Sequence, residues 1–122
     1  MLSAKDEKYY IDAMKIAELS ECDSRHGALV VRGGNPLAYG VNRYRSHPVS
    51  RKYSGFDKCT IHAEQRALIL ARTDLRGATL YSARANGTRT SRPCRMCAEL
   101  IKDAGIKFVV FYTGTEVIKE RV

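Results

Sequence analysis

Two short segments constrain this chain more than anything else in it: His62-Ala63-Glu64, and about thirty residues later Pro93-Cys94-Arg95-Met96-Cys97. One imidazole and two thiolates make three ligands for a zinc ion. Three protein ligands plus an open position for water is the catalytic arrangement, whereas four protein ligands close a site. For that set to form, the fold must bring the two segments together. Residues 61–73 are helix formers throughout, and Pro93 suits the first turn of a second helix, from Cys94 to about Ala104. The ligands are therefore expected in the first turns of two neighbouring helices. Cys94 and Cys97, at i and i+3, share a face there, and unpaired N–H groups at the helix start favour thiolates. Glu64, two residues past His62, points elsewhere around its helix and is free to move protons.

The remaining elements follow from patterning. Residues 5–20 read as an amphipathic helix, and Met96, Cys97, Leu100, Ile101 and Ala104 as an apolar stripe on the Cys94–Ala104 helix. Strands are expected at 27–32, 37–41, 78–83 and 108–112, with turns at Gly33-Gly34-Asn35-Pro36 and Asn86-Gly87. Residues 42–60 are polar, basic and without pattern, a long loop of the kind that usually serves function. Only ten residues follow Tyr112. A parallel crossover needs at least ~10–12 before its next strand begins, so a last strand must pair antiparallel through Thr113-Gly114. The order αββαβαββ implies an α/β fold, a mixed sheet covered by helices, in one domain spanning 1–122. With no long apolar run and no secretory leader, no membrane partner is expected, and the chain reads as cytoplasmic.

The net charge of +8 is concentrated. Residues 43–58 hold Arg43, Arg45, Arg51, Lys52 and Lys58 against Asp57, and residues 84–95 hold Arg84, Arg89, Arg92 and Arg95 with no acid. These segments lead into the two ligand helices, and a positive mouth draws anions such as phosphate. Solvated loops also collect such charge. His26 and His47 are open to either a phosphate contact or an ordinary surface role. Cys22 reads as a small buried residue. Cys59, three residues before His62, could be a fourth ligand, and the result would then be a basic zinc-stabilised binding module and no enzyme. Either motif alone is weak: a Cys-x-x-Cys can be a redox pair. Together and in this order they match the H-x-E…P-C-x-x-C pattern of zinc nucleobase deaminases.

On these residues, with Gly40-Val41-Asn42 closing the second strand and Ala104-Gly105-Ile106-Lys107 leading into Phe108-Val109-Val110, the chain resembles the cytidine and deoxycytidylate deaminase superfamily over nearly its whole length. The resemblance implies a three-layer domain around a five-stranded sheet, with zinc between the two ligand helices. It implies that Glu64 is the catalytic proton shuttle and that Asn42 touches the substrate's sugar hydroxyl. It further implies that the backbone of Ala63 and the loop at Ser91 and Arg92 read the base, and that the protein is a homo-oligomer. The expected reaction is conversion of cytosine to uracil in a (deoxy)cytidine nucleotide or nucleoside, with release of ammonia. Phosphorylated substrates suit the basic loops, and the antiparallel final strand is closer to free-nucleoside enzymes. The alternative is a base in single-stranded DNA or RNA, for which Tyr44 and Tyr53 in the basic segment would be stacking platforms.

Overall fold

In a computed structural model that describes residues 2–44, 61–86 and 88–122, the polypeptide forms helices α1 (Ala4–Ala17), α2 (Ala63–Leu70) and α3 (Arg95–Asp103). The strands are β1 (His26–Arg32), β2 (Asn35–Val41), β3 (Thr79–Arg84), β4 (Phe108–Tyr112) and β5 (Val117–Arg121). They make one sheet of order β2-β1-β3-β4-β5. β3 and β4 are parallel and every other pair is antiparallel, β5 included. The expected mixed sheet and antiparallel last strand are therefore present. His47 and Cys59, the basic residues 45, 51, 52 and 58, Tyr53, Asp57 and Gly87 lie outside the described residues. Where the description breaks, Arg43 and Ile61 pair through mutual backbone hydrogen bonds of 3.0 and 3.2 Å.

Alternation along the strands builds two cores, because successive side chains point to opposite faces. On β1, Ala28 and Val30 join Leu80, Val109 and Phe111 under Ala63, Ala67 and Ile101 of α2 and α3. Leu29 and Val31 join Tyr81, Ala83 and Val110 under Tyr9, Tyr10 and Ala13 of α1. The sheet is thus sandwiched, with α1 on one face and the α2–α3 pair on the other. Two glycines let the helices sit close. A Cβ at Gly27 would lie 2.5 Å from the Ala13 carbonyl oxygen in α1, and one at Gly40 would lie 2.6 Å from the Ala67 nitrogen in α2.

α1 starts on Ser3, whose hydroxyl accepts the Asp6 N–H at 3.0 Å. Asp6 is buried, accepts the Tyr81 hydroxyl at 2.6 Å, and pairs with Lys119 at 3.1 Å. These contacts tie α1 to β3 and β5. Burial opposes the charge on Asp6, but the hydrogen bonds from Tyr81 and Lys119 outweigh it and hold the carboxyl below its ordinary value.

Several boundaries differ from expectation. The β1–β2 turn is only Gly33-Gly34, with φ of 59° and 79°, the two-residue mirror-type hairpin that matches strand twist. Asn35 and Pro36 already pair with Arg32 and Val31. Pro36 fits because β2 is an edge strand. The register shifts between Val30↔Ala38 and Val31↔Pro36, so Leu37 is an extra, bulged residue. α1 ends three residues before the expected Ser20, and α2 ends at Leu70, where Ala71 turns extended. On α3, Cys97 and Ile101 face the sheet, but Met96 and Leu100 are 46% and 37% exposed. A nine-residue helix lying on a sheet turns only one narrow line inward. Among the described residues no helix is long and apolar enough to cross a membrane.

Candidate active site

His62 and Cys94 occupy the N-cap positions of α2 and α3, not their first turns. Both have extended backbone (ψ 154° and 168°), as an N-cap requires. The Gln65 side chain accepts the His62 N–H at 3.4 Å. The Cys97 N–H points at Cys94 Sγ, 3.5 Å away, so a thiol takes the role usually filled by a serine or aspartate oxygen. Pro93 correspondingly lies before the cap and outside the helix.

This arrangement brings the three ligand atoms together. His62 Nδ1 lies 3.5 Å from Cys94 Sγ and 3.5 Å from Cys97 Sγ, and all three atoms fall within 4.8 Å of one another. A tetrahedral zinc with Zn–S near 2.3 Å and Zn–N near 2.0–2.1 Å requires an S···N separation of about 3.5 Å. The donor set and its spacing therefore fit zinc. Among the described residues the group has these three members. Cys97 is buried and Cys94 exposed, so the cluster spans the inside and the outside of the fold. Burial pushes the Cys97 thiol up, and the Glu64 carboxylate and Cys94 push it further. A cation at this point would reverse that cost, since metal ligation deprotonates a thiol outright.

A cavity of about 510 Å³ opens beside the cluster, within the range of small-molecule sites. His62, Glu64, Cys94, Asn42, Ala63, Ser91 and Arg92 all line it, so residues from three separate segments converge; Cys97 lies at the cluster itself. Glu64 is 4% exposed. Burial raises its carboxyl above the usual range, opposed by a hydrogen bond with Cys97 and by the charges of His62 and Arg84. Such a group trades protons closer to neutrality than an ordinary glutamate. A wider groove of about 1080 Å³ runs along β2 and holds none of the three ligands.

The predicted binding residues are held firmly. Asn42 is buried. Its Oδ1 accepts from the Ser20 hydroxyl (2.7 Å) and the His26 N–H (2.9 Å), while Nδ2 donates to the Ser24 carbonyl (2.6 Å). Ser91 Oγ donates to the Ser82 carbonyl at 2.7 Å and accepts the Tyr112 N–H at 2.8 Å, which staples the approach to α3 onto β3 and β4. The Arg92 guanidinium stacks 4.4 Å over Phe111 and pairs with Glu120 at 3.1 Å.

The cavity also contains residues that sequence reasoning left out or left open. His26 lines it. Burial, with the charges of Arg84 and His62, pulls its imidazole down to about 4, so it is neutral at physiological pH. Ser24 and Arg84 line it too. The available signal was an arginine directly after the strand expected at 78–83.

The sequence model of the family described as "Cytidine and deoxycytidylate deaminase zinc-binding region" matches residues 3–113. Among solved structures, the dCMP deaminase of cyanophage S-TIM5 in apo form is 31% identical. The match has a TM-score of 0.66 and covers 89% of this chain and 82% of that one. The same enzyme in complex with dCMP and dUMP aligns at 28% identity, TM-score 0.66, over 89% and 81%. A cytidine deaminase from Burkholderia pseudomallei shares the fold at 16% identity, TM-score 0.68, over 98% and 93%. No curated protein matches the chain.

Proposed function

The chain belongs to the cytidine and deoxycytidylate deaminase family, as a hydrolytic deaminase with zinc as its cofactor, and from that premise we propose that it converts cytosine to uracil in a cytidine or deoxycytidine nucleotide or nucleoside and releases ammonia. The observation that carries this reading is the His62–Cys94–Cys97 cluster with the buried Glu64 in the wall of the same cavity.

When bound, zinc supplies a Lewis acid that makes water nucleophilic at neutral pH. The chain supplies the proton traffic. Glu64 takes a proton from the attacking water and gives it to the ring nitrogen as the new C–O bond forms at the amino-bearing carbon. It then takes the second proton from the new hydroxyl and delivers it to the amine, so that the C–N bond breaks, ammonia leaves and the carbon keeps a carbonyl. Positioned acid–base help of this kind contributes roughly 10²–10⁴ in rate. The raised carboxyl of Glu64 supports this role, because it must hold a proton during part of the cycle. In this reading Asn42 contacts the sugar, and its three hydrogen bonds to protein groups fix its orientation. Ala63 and the Ser91–Arg92 segment contact the base. A homo-oligomer belongs to the same reading, favoured by Ile69, Leu70, Met96 and Leu100, which stand exposed on α2 and α3.

The test is ammonia release by zinc-loaded protein across deoxycytidine, cytidine, dCMP, CMP and a cytosine-containing oligonucleotide. Turnover on at least one monomeric substrate is expected, and Glu64→Gln should keep its zinc while losing at least ~10²-fold in kcat. Zinc-loaded protein inert on every member of the panel overturns the reading. Activity confined to the oligonucleotide replaces it with a polynucleotide deaminase. Light scattering reads the oligomeric state.

A further inference from the structure

Arg84, the last residue of β3, lies in the wall of the cavity and forms no ion pair among the described residues. Its Nε donates to the Thr90 carbonyl at 2.8 Å and its Nη1 to the Ser24 hydroxyl at 2.7 Å, both neutral acceptors. The ion pairs among the described residues are Arg76–Asp74, Arg92–Glu120 and Lys119–Asp6, and Arg84 is in none of them. Burial and the nearby Arg89 disfavour its charge, and Glu64 only partly offsets them. A partly desolvated, unpaired charge is costly to keep in a fold. Two neutral hydrogen bonds hold the guanidinium in place without neutralising its charge.

Arg84 also stands on a boundary. A second hollow of about 290 Å³ adjoins the cavity and shares Asp23, Ser24 and Arg84 with it. Its wall adds Arg25 and Arg89. Three arginines thus face a single acid, the exposed Asp23. Nothing in the hydrolysis of an amino group calls for this charge. A guanidinium fork fits a phosphate's oxygens, and such charge-assisted contacts are the strong ones.

We propose that Arg84, with Arg25 and Arg89 at the rim, binds the phosphate ester of the substrate and so selects nucleotides over nucleosides. The base then lies toward His62 and Glu64, and the phosphate toward the smaller hollow. This inference rests on the deaminase reading of the same cavity and adds to it the residue that sets substrate class.

The experiment compares zinc-loaded wild type with Arg84→Gln, which keeps hydrogen-bond donors and removes the charge, and with Lys102→Gln, an exposed cation on α3, as a control for net charge. Zinc content and melting temperature check the fold of each variant. The main readout is the ratio of kcat/KM for dCMP to that for deoxycytidine. Arg84→Gln should lower this ratio roughly 10–100-fold, mostly through KM, while Lys102→Gln leaves it unchanged. Calorimetric binding of inorganic phosphate should weaken in step, with a salt dependence that Arg25→Gln and Arg89→Gln each reduce. A cytosine-containing oligonucleotide separates two phosphate sources. Loss on the mononucleotide assigns a free ester, and loss on the oligonucleotide alone assigns a backbone phosphate. Equal loss on nucleoside and nucleotide would overturn the proposal and leave Arg84 as a brace between Ser24 and Thr90. So would phosphate binding that is undiminished in Arg84→Gln. If wild type deaminates nothing, the functional reading fails, and the phosphate measurement alone decides this one.

Discussion

The two faces of the sheet are closed in different ways. On one, the 14-residue α1 caps itself with Ser3 and lays Tyr9, Tyr10 and Ala13 over the strands. The buried Asp6–Tyr81–Lys119 contacts pin it in place. On the other, α2 and α3 are only 8 and 9 residues long. They bury small or few side chains, mainly Ala63, Ala67, Cys97 and Ile101, and leave Ile69, Leu70, Met96 and Leu100 outside. Both short helices spend their N-caps on metal ligands. Both faces enclose an apolar core, but only the second carries the ligand cluster, so a bound cation would add folding free energy on that face.

The largest effect should come from Cys97→Ala. Zinc content should fall to background and turnover by at least ~10³-fold. Hydrogen exchange should then show lost protection in α2 and α3 while α1 and β3 keep theirs. Equal loss on both faces would break the contrast. Next come paired substitutions at the two close approaches. Gly27→Val and Gly40→Val should each cost about 1–3 kcal/mol by overpacking, read from denaturant unfolding. Only Gly40→Val, which pushes on the helix carrying His62 and Glu64, should also cut kcat, by about 10-fold or more. A smaller effect is expected from Tyr81→Phe, about 1–2 kcal/mol at neutral pH with turnover intact. Because the folded carboxyl of Asp6 lies below its ordinary value, its contribution is complete above the unfolded pKa of about 3.9 and is lost as pH falls through the lower folded value. The gap between Tyr81→Phe and wild type should therefore narrow below about pH 4. The smallest change belongs to the Gly33-Gly34 turn, outside both cores. Gly33→Ala, at a φ of 59°, should cost about 1 kcal/mol and leave zinc and kcat untouched.

Much of this was legible in the sequence where local chemistry dictates the outcome. Phe108–Tyr112 is a strand as expected, and the short connection from Tyr112 to Val117 leaves β5 to run antiparallel. The ligand residues converge because their spacing relative to two helix starts leaves little choice. What was not legible depends on packing between distant segments. The stripe on α3 looked uniformly apolar, yet which part faces the sheet is decided by how the helix lies on it, and Met96 and Leu100 lie outward. Arg84 and Ser24 enter the site only because β3 runs antiparallel to β1 and brings Arg84 opposite His26. The caps moved by one position because an extended backbone with a thiol acceptor satisfies helix N–H groups better than a helical residue there would.

The borders of the sheet carry their own consequence. β2 presents Pro36 and a bulge, and β5 ends in Lys119, Glu120 and Arg121. A proline lacks the donor that an incoming strand would need, and a kinked or charged rim repels a neighbour's backbone. These edges disfavour strand-to-strand pairing between copies of this protein in the manner of amyloid.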